Sequence, residues 1–500
     1  MFPGAVGAAS LSQMYEPTWD SVATHPLPRW YDDVKLGVFL HWGLYSVPGW
    51  APQVPDIQEL LKHRGPAEML RANPYAEWYL NSSRLQGSPT WQHQRETYGP
   101  DATYDDFVEP FDDGTAQADM DAIAGACHDA GAGYVVLTTK HHEGFCLWPT
   151  GVAHPRKGRY RARRDIVGDL TCAVTGAGMR MGLYYSGGYD WPYNDALLAN
   201  PADSFLAVPH TPDYVAYATA HVRELIDRYR PSVLWNDICW PTGGDLPALF
   251  AHYYNTVPDG VINDRWLEPT QHRGMINDAL ARLGGVAIQR FWSVIPDRLK
   301  SLTFPTNHHF DFRTPEYAAF DSIQDGKWES TRGVGHSFGA NRNERPQDIV
   351  APAELIRSFV DIVAKNGNLL IGVGPDERGR LPDEQLVPLR ALGAWLRVNG
   401  DAIYRTRPWL IADATTTAGT EVRFTARDGA LNAILLDLAE PEFGIRGVDA
   451  TDVTEVRMLG LDEPIHWQVD DGMLRVRLPE RMPVAPAHVL TLGTGARAVG

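Results

Sequence analysis

Residues 134–148, YVVLTTKHHEGFCLW, place a short apolar run directly before two adjacent histidines. The run at 134–138 has the length of one buried strand, and an amphipathic stretch at 119–130 precedes it. A strand, a crossover helix and the next strand form the repeating unit of a parallel sheet. The stretch therefore predicts a parallel α/β sheet whose functional side chains follow the carboxyl ends of the strands.

The same unit recurs on both sides, from about residue 30 to about residue 405. The apolar runs that we interpret as strands lie at 37–40, 134–138, 181–185, 232–235, 261–264 and 368–373. Amphipathic stretches at 119–130, 165–176, 214–229 and 352–366 are interpreted as helices. A chain of 500 residues has room for a large barrel and a smaller module. This part is expected to form a (β/α)8-like TIM barrel.

The pattern changes after Trp409, where short alternating segments replace the strand and helix unit. Candidate strands lie at 421–425, 431–438, 454–459, 467–469, 474–478 and 489–492, with Asp-Gly turns at 428–429 and 471–472. These features predict a C-terminal antiparallel β-sandwich. We expect a catalytic domain over residues 1–407, with an insertion at about 267–307, and the sandwich over 408–500.

Charge and cysteine content narrow the function. The formal net charge of -17 disfavours nucleic acids and anionic membranes, because both would repel most of the surface. The four cysteines lie far apart without a Cys-x-x-Cys motif, so we expect them to be reduced. No signal-like N-terminus and no apolar stretch of about 18 residues is visible, which favours a cytoplasmic protein. A neutral or small substrate is expected.

The residues that follow the predicted strands are unusually polar. They are His41 and Trp42, His141 and His142, Tyr184 and Tyr185, Trp235 to Asp237, and Asp264 with Arg265. One such residue is commonly structural, but five successive polar strand ends fit a sugar pocket, with donors for hydroxyls and aromatic faces for ring carbons. Arg265 is expected beside Asp237, where it would keep the carboxylate ionised. An ordinary ion pair between two strands is the competing interpretation.

A metal site is the competing interpretation of His41, His141 and His142. Adjacent residues of a strand point to opposite faces, so His141 and His142 are not expected to bind one ion, and a His-x-His motif is absent. We therefore expect neither a metal nor a cofactor.

Ordered blocks along nearly the whole chain resemble the α-L-fucosidases of glycoside hydrolase family 29. The blocks are WYDDVKLGVFLHWGLYSVPGW (30–50), NPYAEWYLNS (73–82), YVVLTTKHHEGFCLW (134–148), MGLYYSGGYDW (181–191), VLWND (233–237), NDRW (263–266), DFRTPEY (311–317), WESTRGVGHSFGANRNE (328–344) and NGNLLIGVGP (366–375). The resemblance implies a retaining hydrolase of terminal α-L-fucosyl residues that forms a covalent fucosyl-enzyme intermediate. It also implies a fucosylated glycan or small fucoside as substrate, and homo-oligomers are common among relatives.

The resemblance also implies roles for individual residues. Asp237 matches the nucleophile, and Glu316 matches the general acid/base of the two-carboxylate mechanism. Glu329 is a second candidate for the acid/base, because the insertion at 267–307 lengthens the connection to Glu316. The positions that match the sugar subsite are His41, Glu77, Trp78, His141, His142, Tyr184, Trp235, Arg265 and Phe338.

Departures from the family pattern bear on specificity. Asn236 stands before Asp237 where the family usually has an aromatic residue, and Ala340 replaces an aromatic residue and is expected to widen the pocket rim. The insertion is expected to reshape the leaving-group side, to form an oligomer contact or to cap the cleft. A wider pocket would favour an α-L-galactosidase.

Two competing functions are those of a metal-dependent hydrolase and of a non-catalytic sugar-binding protein, and the presence of both carboxylates argues against the latter.

Overall fold

The computed structural model describes residues 14–269, 275–295, 307–317, 320–438 and 440–499, and its first part is a curled parallel sheet. Its strands are β1 Leu36–Leu40, β2 Tyr134–Lys140, β3 Arg180–Ser186, β4 Val233–Asp237, β5 Val261–Ile262, β6 Trp328–Gly333 and β7 Gly367–Val373. They follow the order β5-β4-β3-β2-β1-β7-β6. The predicted parallel sheet is confirmed.

Residues 311–317, which we call the closing segment, fill the gap between the edge strands β5 and β6. Parallel bridges join Asn263, just after β5, to Phe312, and join Glu316 to Thr331 of β6. The segment takes the place of an eighth strand, so the curled sheet becomes a TIM-like ring.

The strand that the sequence analysis missed is β6, which reads WESTRG. Glu329 and Thr331 are two positions apart on this strand, so both side chains point into the barrel. Glu329 accepts hydrogen bonds in the barrel interior, and Thr331 lines a cavity at the mouth of the barrel. Because both inward side chains are polar, β6 lacks the apolar run by which the other six strands were found. A polar lining of the interior therefore hides a barrel strand from pattern analysis.

Helices lie around the barrel strands and at the mouth of the barrel. They are α1 Trp19–Val22, α2 Arg29–Val34, α3 Ile57–Arg64, α4 Pro66–Arg71, α5 Tyr79–Ser82, α6 Pro89–Tyr98, α7 Val108–Thr115, α8 Met120–Asp129, α9 Ile166–Gly176, α10 Trp191–Asn194, α11 Asp203–Leu206, α12 Pro212–Tyr229, α13 Leu246–Thr256, α14 Met275–Arg290, α15 Pro352–Ala364 and α16 Asp383–Asn399. The four predicted helices correspond to α8, α9, α12 and α15. Asp119 and Asp165 cap α8 and α9 through their carboxylates. None of the helices in the described ranges is long and apolar enough to cross a membrane.

The interior of the barrel contains an aromatic layer around one buried carboxylate. The hydroxyls of Tyr31 and Tyr134 and the indole N–H of Trp235 all donate to Glu329, at 2.8 Å for Tyr31 and 3.1 Å for Trp235. Burial raises the pKa of Glu329, and the three donors oppose that effect. These bonds join α2, β2, β4 and β6 across the barrel axis.

The C-terminal part consists of two antiparallel sheets packed on their own core, as the sequence predicts. The strands are β8 Arg407–Thr415, β9 Glu421–Arg427, β10 Ala430–Leu436, β11 Glu442–Asp449, β12 Val456–Met458, β13 His466–Asp470, β14 Met473–Arg477, β15 Ala487–Leu492 and β16 Arg497–Ala498. Three of these strands, β8, β11 and β16, were not predicted from the sequence. Both β8 and β11 carry register shifts that interrupt alternation. Asp428 and Asp471 have φ of 52° and 50° in the predicted turns.

We predict that Glu329→Gln lowers the free energy of unfolding by about 2 kcal/mol, because an amide has one acceptor atom for the donors that a carboxylate satisfies with two. Urea denaturation followed by tryptophan fluorescence measures the effect. Glu480→Gln, at an exposed position, is the control and should leave the midpoint unchanged. Equal midpoints for the two variants would contradict a structural role for Glu329.

Candidate active site

A cavity of about 300 Å³ opens at the carboxyl ends of the barrel strands. All eleven residues assigned to catalysis or sugar binding line it: His41, Glu77, Trp78, His141, His142, Tyr184, Trp235, Asp237, Arg265, Glu316 and Phe338. A larger, more open depression of about 890 Å³ between α7, α8 and residues 377–381 contains none of them. The sequence-derived set therefore converges on one place.

Asp237 is the last residue of β4 and is 8% exposed. Its Oδ1 accepts a hydrogen bond from Nη1 of Arg265 at 2.9 Å, and its Oδ2 accepts one from the hydroxyl of Tyr184 at 2.8 Å. Burial raises the pKa of Tyr184, and the charge of Asp237 raises it further, so the hydroxyl stays protonated. Two donors thus orient both carboxylate oxygens.

Glu316 lies beside the same cation. Its Oε1 is 2.7 Å from Nη1 of Arg265, the atom that also bonds Asp237. The two carboxylate oxygens cannot be farther apart than the sum of those two short distances. Burial alone lowers the pKa of Arg265, but Glu316 and Asp237 outweigh burial and keep that pKa above its usual value.

The closing segment also fixes the guanidinium itself. Nε of Arg265 donates to Oγ1 of Thr314, and Nη2 donates to the backbone carbonyl of Thr314, both at 2.9 Å. Thr314 is not among the predicted site residues, because a lone threonine between Arg313 and Pro315 carries no signal. One segment thus supplies Glu316 and orients the cation that Glu316 contacts.

Trp235 forms the floor beneath this cation. The guanidinium carbon of Arg265 lies 4.7 Å from the centre of the Trp235 ring, and the ring of Tyr184 stacks on Trp235 at 5.5 Å. Glu329 bonds the indole N–H of Trp235 from below and does not line the cavity. The second candidate for the acid/base is therefore placed in the barrel interior, out of reach of a sugar in the cavity.

Asn236, the departure from the family pattern, ties the end of β4 to its neighbour. Its backbone N–H donates to Asn263 at 2.9 Å, and its side-chain amide donates to the carbonyls of Cys239 and Arg265 at 2.8 and 2.7 Å. The side chain points away from the pocket into this network. Asn236 therefore ties the turn after Asp237 to the segment after β5 that carries Arg265.

His141 and His142 both face the cavity, with ring centres 3.9 Å apart. The expectation that they point to opposite faces is wrong, because β2 ends at Lys140 and the histidines lie in the turn beyond it, where strand alternation no longer applies. Within the described residues, no group of three His, Cys, Asp or Glu side chains is arranged to hold a metal ion.

Burial makes His41 and His142 neutral hydrogen-bonding groups. It lowers the pKa of His41 and of His142 well below the usual value, and neighbouring cations and histidines lower it further. The hydroxyl of Ser186 donates to the carbonyl of Tyr189 at 2.9 Å, so it accepts from Nδ1 of His142 at 2.7 Å. Nε2 of His142 therefore carries a lone pair, 3.9 Å from Oδ2 of Asp237.

Glu77 anchors the loop after β6. Its Oε2 accepts hydrogen bonds from the hydroxyl of Ser337 at 3.0 Å and the backbone N–H of Gly339 at 2.9 Å. Phe338 lies between these two residues, and its ring is 4.8 Å from that of His41. Trp78 stands edge-on to His142 at 5.6 Å. Glu77 thus places an aromatic wall opposite the histidines.

Ala340 does not widen this cavity. It is 2% exposed, packs beside Gly374 and lines a separate depression with Asn341, Arg342 and Glu344. The expectation of a wider rim at this position is wrong, because the chain has already turned away from the pocket after Gly339. The structural basis for preferring a sugar larger than fucose is therefore absent at Ala340.

The insertion contributes α14, while residues 270–274 and 296–306 lie outside the described residues. α14 does not line the cavity but contacts two segments that do. Trp292, just after it, donates to the carbonyl of Leu61 at 2.8 Å, and Arg282 pairs with Asp203 at 3.1 Å. These contacts place the described part of the insertion behind the outer side of the pocket.

The apolar outer part of the cavity was not predicted from the sequence. Its side chains come from α3 and α4, from residues 201–208 and from the turn after β4. α3 was not predicted, and only the packed chain shows that its buried residues Ile57 and Leu61 meet the pocket.

The comparisons with known proteins agree with this geometry. The sequence model of the family described as Alpha-L-fucosidase matches residues 5–401. Human tissue α-L-fucosidase is 30% identical to the chain, over 97% of this chain and 93% of the human protein. The Thermotoga maritima α-fucosidase, crystallised with fucose, is 38% identical with a TM-score of 0.79, over 96% of this chain and 100% of that one.

A second crystal structure of the Thermotoga maritima enzyme contains a mechanism-based inhibitor, with 38% identity, a TM-score of 0.79 and coverage of 96% of this chain and 99% of that one. The family match covers well over half of the chain, and the relatives match along almost their whole length. The chain therefore belongs to the α-L-fucosidase family, glycoside hydrolase family 29.

Proposed function

We propose that the chain hydrolyses terminal α-L-fucosides with retention of configuration, with Asp237 as nucleophile and Glu316 as general acid/base. The shared contact with Nη1 of Arg265 carries this proposal. Because Nη1 lies 2.9 Å from Asp237 and 2.7 Å from Glu316, these two oxygens are closer together than the roughly 6.5–9.5 Å that inverting enzymes need for a water molecule, which leaves the retaining class, with its typical separation of about 5 to 5.5 Å. A fucosylated glycan or a small fucoside is the expected substrate, since a relative binds fucose in its crystal structure.

In the first step, a carboxylate oxygen of Asp237 attacks the anomeric carbon while the bond to the leaving oxygen breaks and Glu316 donates its proton to that oxygen. The resulting ester of Asp237 carries no charge, so its repulsion of a charge on Glu316 disappears. Arg265 then stabilises the ionised Glu316. Glu316 takes a proton from water, which attacks the anomeric carbon and releases Asp237.

The remaining lining residues fit the binding of a hydroxylated ring. The neutral imidazole of His41 offers one donor and one acceptor, while His142, whose Nδ1–H is engaged by Ser186, offers the acceptor Nε2 to a sugar hydroxyl. The lone pair on Nε2 of His142 faces the nucleophile, so a hydroxyl bound there lies next to the reacting carbon. Trp78 and Phe338 supply apolar faces for ring carbons and the methyl group of fucose.

Asp237→Gly tests the nucleophile. We predict that turnover of an aryl α-L-fucoside falls at least about 10³-fold, because no covalent intermediate can form. Sodium azide should restore turnover by attacking from the vacated side, and the product should be the β-fucosyl azide. Wild-type protein with azide is the control. A variant that keeps its activity without azide would rule out this role.

Glu316→Ala and Glu329→Gln together test the acid/base. We predict that Glu316→Ala accumulates the fucosyl-enzyme with an activated aryl fucoside, and that azide speeds turnover and yields the α-fucosyl azide, because azide attacks the β-linked intermediate. Glu329→Gln should keep turnover that azide does not change, because Glu329 lies outside the cavity. The opposite pattern, with azide rescue of the Glu329 variant alone, would reassign the acid/base.

A further inference from the structure

The cavity has two chemically different halves. The inner half holds the histidines, Arg265 and the carboxylates, and the outer half is walled by apolar side chains from three separate segments. We call that group of side chains the outer wall: Ile57, Leu61, Pro66, Met69 and Leu70 from α3 and α4, Pro201, Phe205 and Val208 from residues 201–208, and Ile238 after β4. Most of them belong to one hydrophobic cluster, which also includes Phe338 of the inner half. The two halves are therefore continuous.

We propose that the outer wall is a leaving-group subsite that takes an apolar aglycone, an aryl or alkyl group, rather than a second sugar. The proposal rests on the proposed function. Its occupant follows from covalent connectivity, because the group bonded to the anomeric carbon must lie next to a sugar held in the inner half. Tyr317, adjacent to Glu316, packs against the same cluster, which places the wall on the side where the acid/base meets the leaving oxygen.

The composition of the wall decides the class of aglycone. A sugar aglycone needs partners for several hydroxyls, and a buried hydroxyl without a partner is costly. The polar residues that line the cavity in or next to α4 and residues 201–208 are Asn73, Tyr75 and Ser204. Oδ1 of Asn73 is engaged by the backbone N–H of Tyr75, and its Nδ2 remains as a donor, which is fewer partners than a sugar with several hydroxyls needs. Phe205 is 62% exposed at the mouth of the cavity, so a flat apolar aglycone can pack against its ring. The wall favours burial of hydrocarbon.

α14 holds two sides of the wall in place. On one side, Oε1 of Gln289 accepts from the backbone N–H of Ala67 at 2.8 Å, and Trp292 bonds the carbonyl of Leu61. On the other side, Arg282 pairs with Asp203, directly before the wall residues of α11. Gly285 lies so close to Asn200 that a β-carbon there would clash with it. These contacts make the outer wall a supported site rather than a loose loop surface.

A series of alkyl α-L-fucosides tests the proposal with little change in leaving-group chemistry. The series consists of the methyl fucoside, the hexyl fucoside and a polyether fucoside of the same length as hexyl. Each releases methanol or a primary alcohol, so the leaving groups are chemically similar and differences in kcat/KM report contacts in the subsite. We expect the hexyl compound to exceed the methyl compound at least about tenfold, and the polyether to stay near methyl. A hexyl-to-methyl ratio near one, or a fucosyl disaccharide hydrolysed faster than the hexyl fucoside, would overturn the proposal.

Phe205→Ser locates the effect. We expect the hexyl-to-methyl ratio to fall about threefold or more, mainly through KM, because the lost contact is made in ground state and transition state alike. Leu410→Ser, at another exposed apolar residue remote from the cavity, is the matched control and should leave the ratio unchanged. An unchanged ratio in the Phe205 variant, with a circular dichroism spectrum like that of wild type, would count against this wall.

Trp292→Phe removes the hydrogen bond to Leu61 and should also lower the ratio. Leu283→Ser, on the exposed side of α14 at 66% exposure, is its control and should not. If the aryl fucoside itself is not hydrolysed and Asp237→Gly changes nothing, the proposed function fails. If aryl hydrolysis depends on Asp237 while the alkyl ratio stays near one, only the apolar subsite fails.

Discussion

A fully buried guanidinium must be neutralised where it lies, and Arg265 imposes that constraint on the whole site. Removing such a charge from water is expensive unless carboxylates and hydrogen-bond acceptors surround it. Two carboxylates meet this requirement, those of Asp237 at the end of β4 and of Glu316 on the closing segment. The hydroxyl and carbonyl oxygens of Thr314 accept the remaining hydrogen bonds. The two carboxylates needed for chemistry are thus the same groups that make burial of Arg265 tolerable.

A chain of contacts links Arg265 to groups deeper along the barrel axis. Arg265 lies over Trp235, and Trp235 is held by Glu329, which also accepts from Tyr31 and Tyr134. Hydrogen-bonded polar groups in a low-dielectric interior reinforce one another when all are satisfied. The closing segment and β6 therefore position the active site as well as complete the barrel. Thr314 of the closing segment holds Arg265 from the side, and Glu329 of β6 holds Trp235 from below.

The two halves of the cavity follow from different parts of the chain. The inner half is built from strand ends and their turns, where backbone hydrogen bonds hold each side chain in place. The outer half comes from α3, α4 and residues 201–208, which lie apart in sequence and are joined by α14. Chemistry and leaving-group preference can consequently change independently, since the wall can be altered without moving Asp237 or Glu316.

The sequence by itself determined six strands, four helices, the hairpin turns at Asp428 and Asp471, and the set of polar strand-end residues, because these depend on local periodicity and turn chemistry. Only the tertiary structure decided that β6 exists with a polar inner side, that residues 311–317 complete the ring, and that His141 and His142 face the same way. It also placed Glu329 beneath the floor and Ala340 outside the pocket. These outcomes depend on which distant groups satisfy one another's charges and hydrogen bonds, and no local pattern records that pairing.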